Sequence, residues 1–251
     1  MNELHHRNLR EQFAQRIQTY ETSARWMLAP ELIAAHKAAA GPAPAQANRA
    51  VDLCCGTGIV GRNLLSLGWN VTGLDLTPEM ATVAAEHFPV RTGSVEKMPF
   101  AEGEFDLATL RQSLMLVDAE ATVREVNRIL VPDGRFILVH SVPFGAADDE
   151  TYSAVQHTRH INMKTYFRAN ELETLLRDTG FKITAHQFLR VRESVDHWLN
   201  SAPELSPVLR AKTRALIAQA PASYREARRV QDVRGELFED WNWSLITAQK
   251  L

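Results

Sequence analysis

The residues best placed to do chemistry lie close together in the first third of the chain: Asp52, Gly56, Thr57, Gly58, Gly61 and Asp75. An apolar run (Ala50, Val51, Leu53) reads as a buried strand ending at Gly56-Thr57-Gly58, and a helical pattern starts at Ile59. Glycines between a strand and a helix bring bare backbone N–H groups close to a ligand, and a side chain at Gly58 is expected to intrude on it. Asp52 is an acid inside the strand, and a buried carboxylate is costly unless something pairs with it. A cationic group on the ligand would supply that pairing. The spacing Gly56-x-Gly58-x-x-Gly61 also fits a dinucleotide fingerprint, but that strand is normally apolar, so Asp52 weakens a nicotinamide-cofactor reading. Asp75 ends the next strand, where a carboxylate can accept both hydroxyls of a sugar.

Further segments follow in order: Val71-Thr-Gly-Leu-Asp-Leu-Thr-Pro-Glu-Met80, Gly93-Ser-Val-Glu-Lys-Met-Pro-Phe100, Phe105-Asp106 and Leu130-Val-Pro-Asp-Gly-Arg-Phe136. With them the chain resembles the class I S-adenosylmethionine (SAM)-dependent methyltransferases, whose first motif has the form acid-x-x-x-Gly-x-Gly. The resemblance runs over about residues 50–190. It implies SAM held by Asp52, Gly56, Thr57 and Gly58, with Asp75 on the ribose and Leu76 and Met80 beside it. Ser94, Val95 and Glu96 fall in the adenine-side loop, where Ser94 replaces the acid of many family members. Arg111 ends the fourth strand near the sulfonium, where it could hold SAM's carboxylate, hold an acidic acceptor, or pair with Asp52. The pattern is similar to the branch containing ubiquinone and menaquinone C-methyltransferases. That branch is too broad for its substrates to carry over; the expected reaction is O-, N- or C-methylation of a small-molecule acceptor, with an aromatic or quinone-like metabolite among the candidates. Two alternatives stand beside that reading. One is an RNA methyltransferase, disfavoured by Leu110-Arg-Gln-Ser113 where a base-gripping motif would lie. The other is a SAM-binding protein that transfers nothing.

His140, at the end of the fifth strand, is the candidate general base, with Arg111 as its companion. Tyr20, Trp26, His157 and Tyr166 are candidate walls of the acceptor pocket. His157 and His160 share a helix face, but no acid or cysteine completes a metal set. Cys54 and Cys55 are neighbours and read as small buried fillers. The basic run Arg210–Arg234 reads as a solvated helix face.

The elements that must position these groups follow from periodicity. Leu9, Phe13, Ile17 and Tyr20 predict one amphipathic helix, and Pro30 opens a second through Leu32, Ile33 and His36. Residues 41–48 read as a linker. Strands over 49–54, 70–75, 89–93, 105–111, 134–141 and 181–190 alternate with helices over 59–67, 78–87, 118–130 and 169–179, and a last strand covers about 241–248. Such alternation predicts an α/β fold, a Rossmann-like, doubly wound, mostly parallel seven-stranded sheet. The expected division is an N-terminal helical cap or lid (1–45), a SAM-binding core (46–190), a helical insertion (191–239) and a final core strand (240–251). A formal net charge of −2 among 251 residues leaves no electrostatic footprint for nucleic acid or membrane. The expected setting is a cytoplasmic monomer or homodimer with a small-molecule partner.

Overall fold

The computed structural model describes residues 3–251. Eight strands among them join in one sheet: β1 (Arg49–Leu53), β2 (Asn70–Asp75), β3 (Val90–Thr92), β4 (Phe105–Arg111), β5 (Leu130–Val142), β6 (Phe181–Ser194), β7 (Gln231–Val233) and β8 (Glu236–Lys250). The order is β3-β2-β1-β4-β5-β8-β6, with β7 paired to β8. The first five strands run parallel, and β8 enters antiparallel between β5 and β6. Parallel neighbours need crossover connections. Helices α3 (Ile59–Leu65), α4 (Pro78–Ala84) and α5 (Ala119–Ile129) supply them. The strand order reverses between β1 and β4, which places the ligand crevice outside their carboxyl ends.

Side-chain alternation sorts the strands onto two cores. Ala50, Leu107, Ile137 and Val139 pack on one face. Val51, Leu53, Ala108, Leu110, Phe136 and Leu138 pack on the other. Both faces are covered, so β1 has no solvent side, and Asp52 inherits that burial. Asp118 caps α5 by accepting the Ala121 N–H at 3.0 Å, and Thr122, Val123, Val126 and Ile129 form its buried stripe.

The eighth strand departs from the seven expected. β7 and β8 form a hairpin whose two loop residues, Arg234 and Gly235, have φ of 58° and 89°. A type I′ loop needs positive φ at both positions, and arginine there gives no recognisable dipeptide. The flanking strands are also longer than the periodicity implied, with β6 reaching Ser194 and β8 beginning at Glu236. Helices α6 (Asp149–Arg159) and α7 (Ala169–Asp178) lie between β5 and β6. Helices α8 (Val195–Asn200), α9 (Pro207–Ala218) and α10 (Ala222–Ala227) lie between β6 and β7.

The N-terminal segment is not one helix through Tyr20. Helix α1 (Glu3–Ala14) stops, two 3-10 turns follow (Ile17–Thr22 and Arg25–Leu28), and α2 (Pro30–Ala40) begins at the proline. The tighter turns let Arg16 reach Glu204 while Tyr20 lies on Gly56. Leu9 joins one core and Ala24, Met27 and Leu32 the other, so the segment straddles the end of the sheet. No helix among the described residues is long and apolar enough to cross a membrane.

Candidate active site

Three left-handed residues turn the chain after β1: Cys54, Gly56 and Gly58, with φ of 53°, 54° and 90°. Cys54 adopts there a backbone that side chains rarely accept, and Gln112 does the same at the end of neighbouring β4, with φ of 56°. The turn aims the Gly56 N–H at Asp75 Oδ2, 2.8 Å away. Asp75 Oδ1 accepts the Thr77 N–H at 2.8 Å. Each carboxylate oxygen can accept a second bond, so both remain available to a ligand hydroxyl. Burial pushes the Asp75 carboxyl up, and the Thr77 and Gly56 N–H groups oppose it. Asp52 is 2% exposed and accepts the Gly61 N–H at 2.8 Å. Its pKa is pushed up to about 7, chiefly by burial, with the Gly61 bond and the Arg111 charge acting the other way.

The three glycines have different tasks. A Cβ at Gly56 would lie 2.9 Å from the Tyr20 ring, so this glycine faces the cleft. A Cβ at Gly58 would meet Phe88 at 3.0 Å and Ala84 at 3.2 Å, and one at Gly61 would overlap the Phe88 ring. The expectation that Gly58 makes room for the ligand is therefore corrected: it is required by its positive φ and by packing on Phe88.

Leu76, Met80, Ser94 and Val95 line the cleft with Gly56 and Asp75. Cys54 lines it too and is only half-buried, unlike its fully buried neighbour Cys55. The Ser94 hydroxyl accepts the Glu96 N–H at 3.1 Å and holds the loop's turn. The Glu96 carboxylate turns away from the cleft. It accepts His6 Nε2 at 3.0 Å, the Asp118 N–H at 2.7 Å and Lys164 Nζ at 3.1 Å, which tie α1, α5 and the loop before α7 together. From the N-terminal segment, His6, Leu9, Phe13 and Tyr20 close the cleft and leave a cavity of about 60 Å³. Glu21 latches this segment down: it accepts Thr57 Oγ1 at 2.8 Å and Arg62 Nη2 at 2.7 Å. Glu21 carried no signal in the sequence, because its partners are defined only by the fold.

Arg111 does not pair with Asp52. Its Nη1 donates to the Met27 carbonyl at 3.2 Å, and its guanidinium lies 5.3 Å from the Trp26 ring centroid. Trp26 packs at 4.8 Å on Trp243. His140 is buried, with Nδ1 2.8 Å from the Ser141 carbonyl. A carbonyl only accepts, so Nδ1 carries the proton and Nε2 keeps a lone pair, without a partner among the described residues. Burial pulls the His140 pKa down to about 4, against the Ser141 bond. The imidazole is thus neutral at pH 7.

Two expected wall residues lie elsewhere. His157 is exposed on α6 and accepts or donates only within its own helix, at Ser153. Tyr166 donates to Asp149 Oδ1 at 2.8 Å and packs on Tyr152 and His157. Their helix turns its buried face, Tyr152, Val155, Gln156 and Arg159, toward the core, which leaves His157 outside.

Residues 51–138 match the methyltransferase domain family. An uncharacterized methyltransferase of Synechocystis sp. is 35% identical over 97 residues, 36% of this chain and 46% of the relative. A demethylmenaquinone methyltransferase of Lactobacillus johnsonii is 27% identical over 168 residues, 53% of this chain and 67% of the relative. The crystal structure of Bacillus subtilis YcgJ superposes with a TM-score of 0.73 at 21% identity, covering 86% of this chain and 96% of that one. Residues 51–138 are thus similar to methyltransferase domains, and the chain shares its fold with YcgJ. The chain spans about half the length of the curated relatives it matches. Outside that domain lie the cap, with Tyr20 and Glu21, and the segment from α6 to β8.

Proposed function

We propose that this protein transfers the methyl group of SAM to a small-molecule acceptor. One observation carries the reading. Asp75 is bonded to the Gly56 N–H at the mouth of a slot walled by Leu76, Met80 and Val95, a sugar-binding carboxylate beside an apolar seat for a base. The cofactor fits the donor set in a second respect: Asp52 is a buried acid held by the Gly61 N–H, suited to an ammonium group. When bound, SAM supplies a methyl group already activated on a sulfonium. The protein's residues then have three tasks. Asp75 fixes the ribose, Asp52 draws the ammonium inward, and the segment bearing Phe13 and Tyr20 excludes water. The His140 Nε2 lone pair is available to an acceptor that must lose a proton. A small-molecule acceptor is supported by the Lactobacillus johnsonii relative, named for methylating demethylmenaquinone.

A cavity of about 60 Å³ is far below the roughly 300–1,000 Å³ of small-molecule sites, so residues 3–28 act as a lid that lifts to admit the cofactor. The test is release of S-adenosylhomocysteine from SAM, with and without a metabolite extract. Extract-dependent release supports methyl transfer. Release that never exceeds the extract-free rate, despite SAM binding, leaves a SAM-binding protein, and tight NADH binding without SAM binding overturns the cofactor.

A further inference from the structure

The cap covers more than the cofactor slot. Arg16, which follows α1, donates through Nε at 3.1 Å and through Nη2 to the Glu204 carboxylate, in the loop between α8 and α9. Gln12 Nε2 adds a bond to Glu204 at 3.3 Å. Arg159, the last residue of α6, reaches the same carboxylate through Nη1 at 3.4 Å with only 3% of its side chain exposed. Arg210 on α9 lies close enough to act on the Arg159 charge, and its Nη2 donates to the Ala202 carbonyl at 2.8 Å. Arg16 and Arg159 thus share one carboxylate with Arg210 beside them, and no second acid pairs with any of the three among the described residues. The buried Nε atoms of Arg159 and Arg210 have no partner among the described residues. A buried donor left unmade is costly, and a buried excess of positive charge more so.

The cluster reaches the slot through Phe13, whose ring lies 5.3 Å from the Arg16 guanidinium and 6.3 Å from the Tyr20 ring. Tyr20, whose ring lies against Gly56, feels the charges of both Arg16 and Arg111. His160 feels Arg159, Arg16 and His140, whose Nε2 is also unpartnered. The Arg159 guanidinium lies 5.0 Å from the centroid of Trp198, and Trp198 packs edge-on to Trp241 at 4.8 Å. The two indoles give the cluster a buried, apolar flank.

Resting on the methyltransferase reading above, we propose that Arg16, Arg159 and Arg210 recognise an oxyanion on the acceptor, an apolar small molecule carrying a carboxylate or a phosphate ester. Guanidinium forks match either head group in two-point fashion. Burial pulls Arg159 down to about 9, and the Arg16 charge adds to it while Glu204 opposes, the condition that an incoming anion relieves.

The test uses the full chain with saturating S-adenosylhomocysteine and three probes of similar shape: 1-naphthoate, 1-naphthyl phosphate and the neutral 2-naphthol. Calorimetry should show the anionic probes binding roughly tenfold or more tightly than the naphthol. The tighter of the two anions identifies the head group. Arg159→Met and Arg210→Met should each remove that preference while S-adenosylhomocysteine binding persists. Their melting temperatures should hold or rise, because an unmatched cation has been removed; a merely structural ion pair would instead lower them. Equal binding of naphthol and naphthoate, or unchanged naphthoate affinity in both variants, overturns the proposal. Failure of S-adenosylhomocysteine to bind the wild type overturns the underlying reading instead.

Discussion

Arg228 and Arg159 are both buried arginines near a helix end, and their surroundings are built on opposite plans. Arg228 donates to Asp148 at 2.7 Å with both side chains fully enclosed, and its guanidinium lies 3.7 Å from the Tyr152 ring centroid. Nearby Glu239 accepts Tyr224 Oη at 2.7 Å and Trp241 Nε1 at 3.0 Å. Burial works against the charge on Arg228, but Tyr224, Glu239, Tyr152 and Asp148 reverse it and carry its pKa above the arginine range. Around Arg159 the balance falls the other way, with three cations to one acid. Two other buried groups are also sparsely bonded: Asp52 accepts the Gly61 N–H, and His140 Nε2 bonds nothing among the described residues. Matched charges hold the C-terminal helices to β8, whereas unmatched ones gather beneath the cap, where a ligand can complete them.

Removing Arg228 should produce the largest effect. Arg228→Met leaves Asp148 and Glu239 buried without their cation, a loss of about 3–5 kcal/mol in urea unfolding. A loss below about 1 kcal/mol would erase the contrast with Arg159. Next is Asp75→Ala, which should weaken S-adenosylhomocysteine binding by roughly 1.5–3 kcal/mol, about ten- to a hundredfold. An unchanged dissociation constant would make Asp75 a brace for Gly56 and Thr77 alone. The smallest effect is graded by pH. Asp52 in the free protein has a pKa of about 7, and an ammonium partner favours its deprotonated form. Binding then releases a proton, so affinity should fall as pH drops below about 7, approaching tenfold per unit. Asp52→Asn should flatten that profile, and a wild-type profile already flat from pH 5.5 to 8 would separate Asp52 from the ammonium.

The turn at Gly56 and its carboxylate partner Asp75 were legible because their residues are local. Asp52 to Gly61 is one turn between a strand and a helix, and Asp75 ends the adjacent strand, so period and punctuation alone place them. The parallel sheet was legible for the same reason. The contacts of the N-terminal segment and of α6 were not. Arg16 and Glu204 are 188 positions apart, and Thr57 and Glu21 are 36 apart, so no window of sequence contains either pair. Arg159 lies two residues from His157, and only the rotation of α6 decides that the arginine is buried and the histidine exposed. The hairpin at Arg234-Gly235 escaped because its left-handed arginine is an atypical turn residue.

Cys54 gives the cleft a hazard and its remedy. Its side chain lines the slot where, in the proposed reaction, an alkylating sulfonium would sit. A thiolate so near would be a competing nucleophile and would capture the methyl group irreversibly. Burial, reinforced by the Asp75 charge, drives the Cys54 thiol far above its ordinary range, so at neutral pH the sulfur keeps its proton. The burial that shapes the slot would therefore also guard the protein against self-alkylation in the proposed reaction.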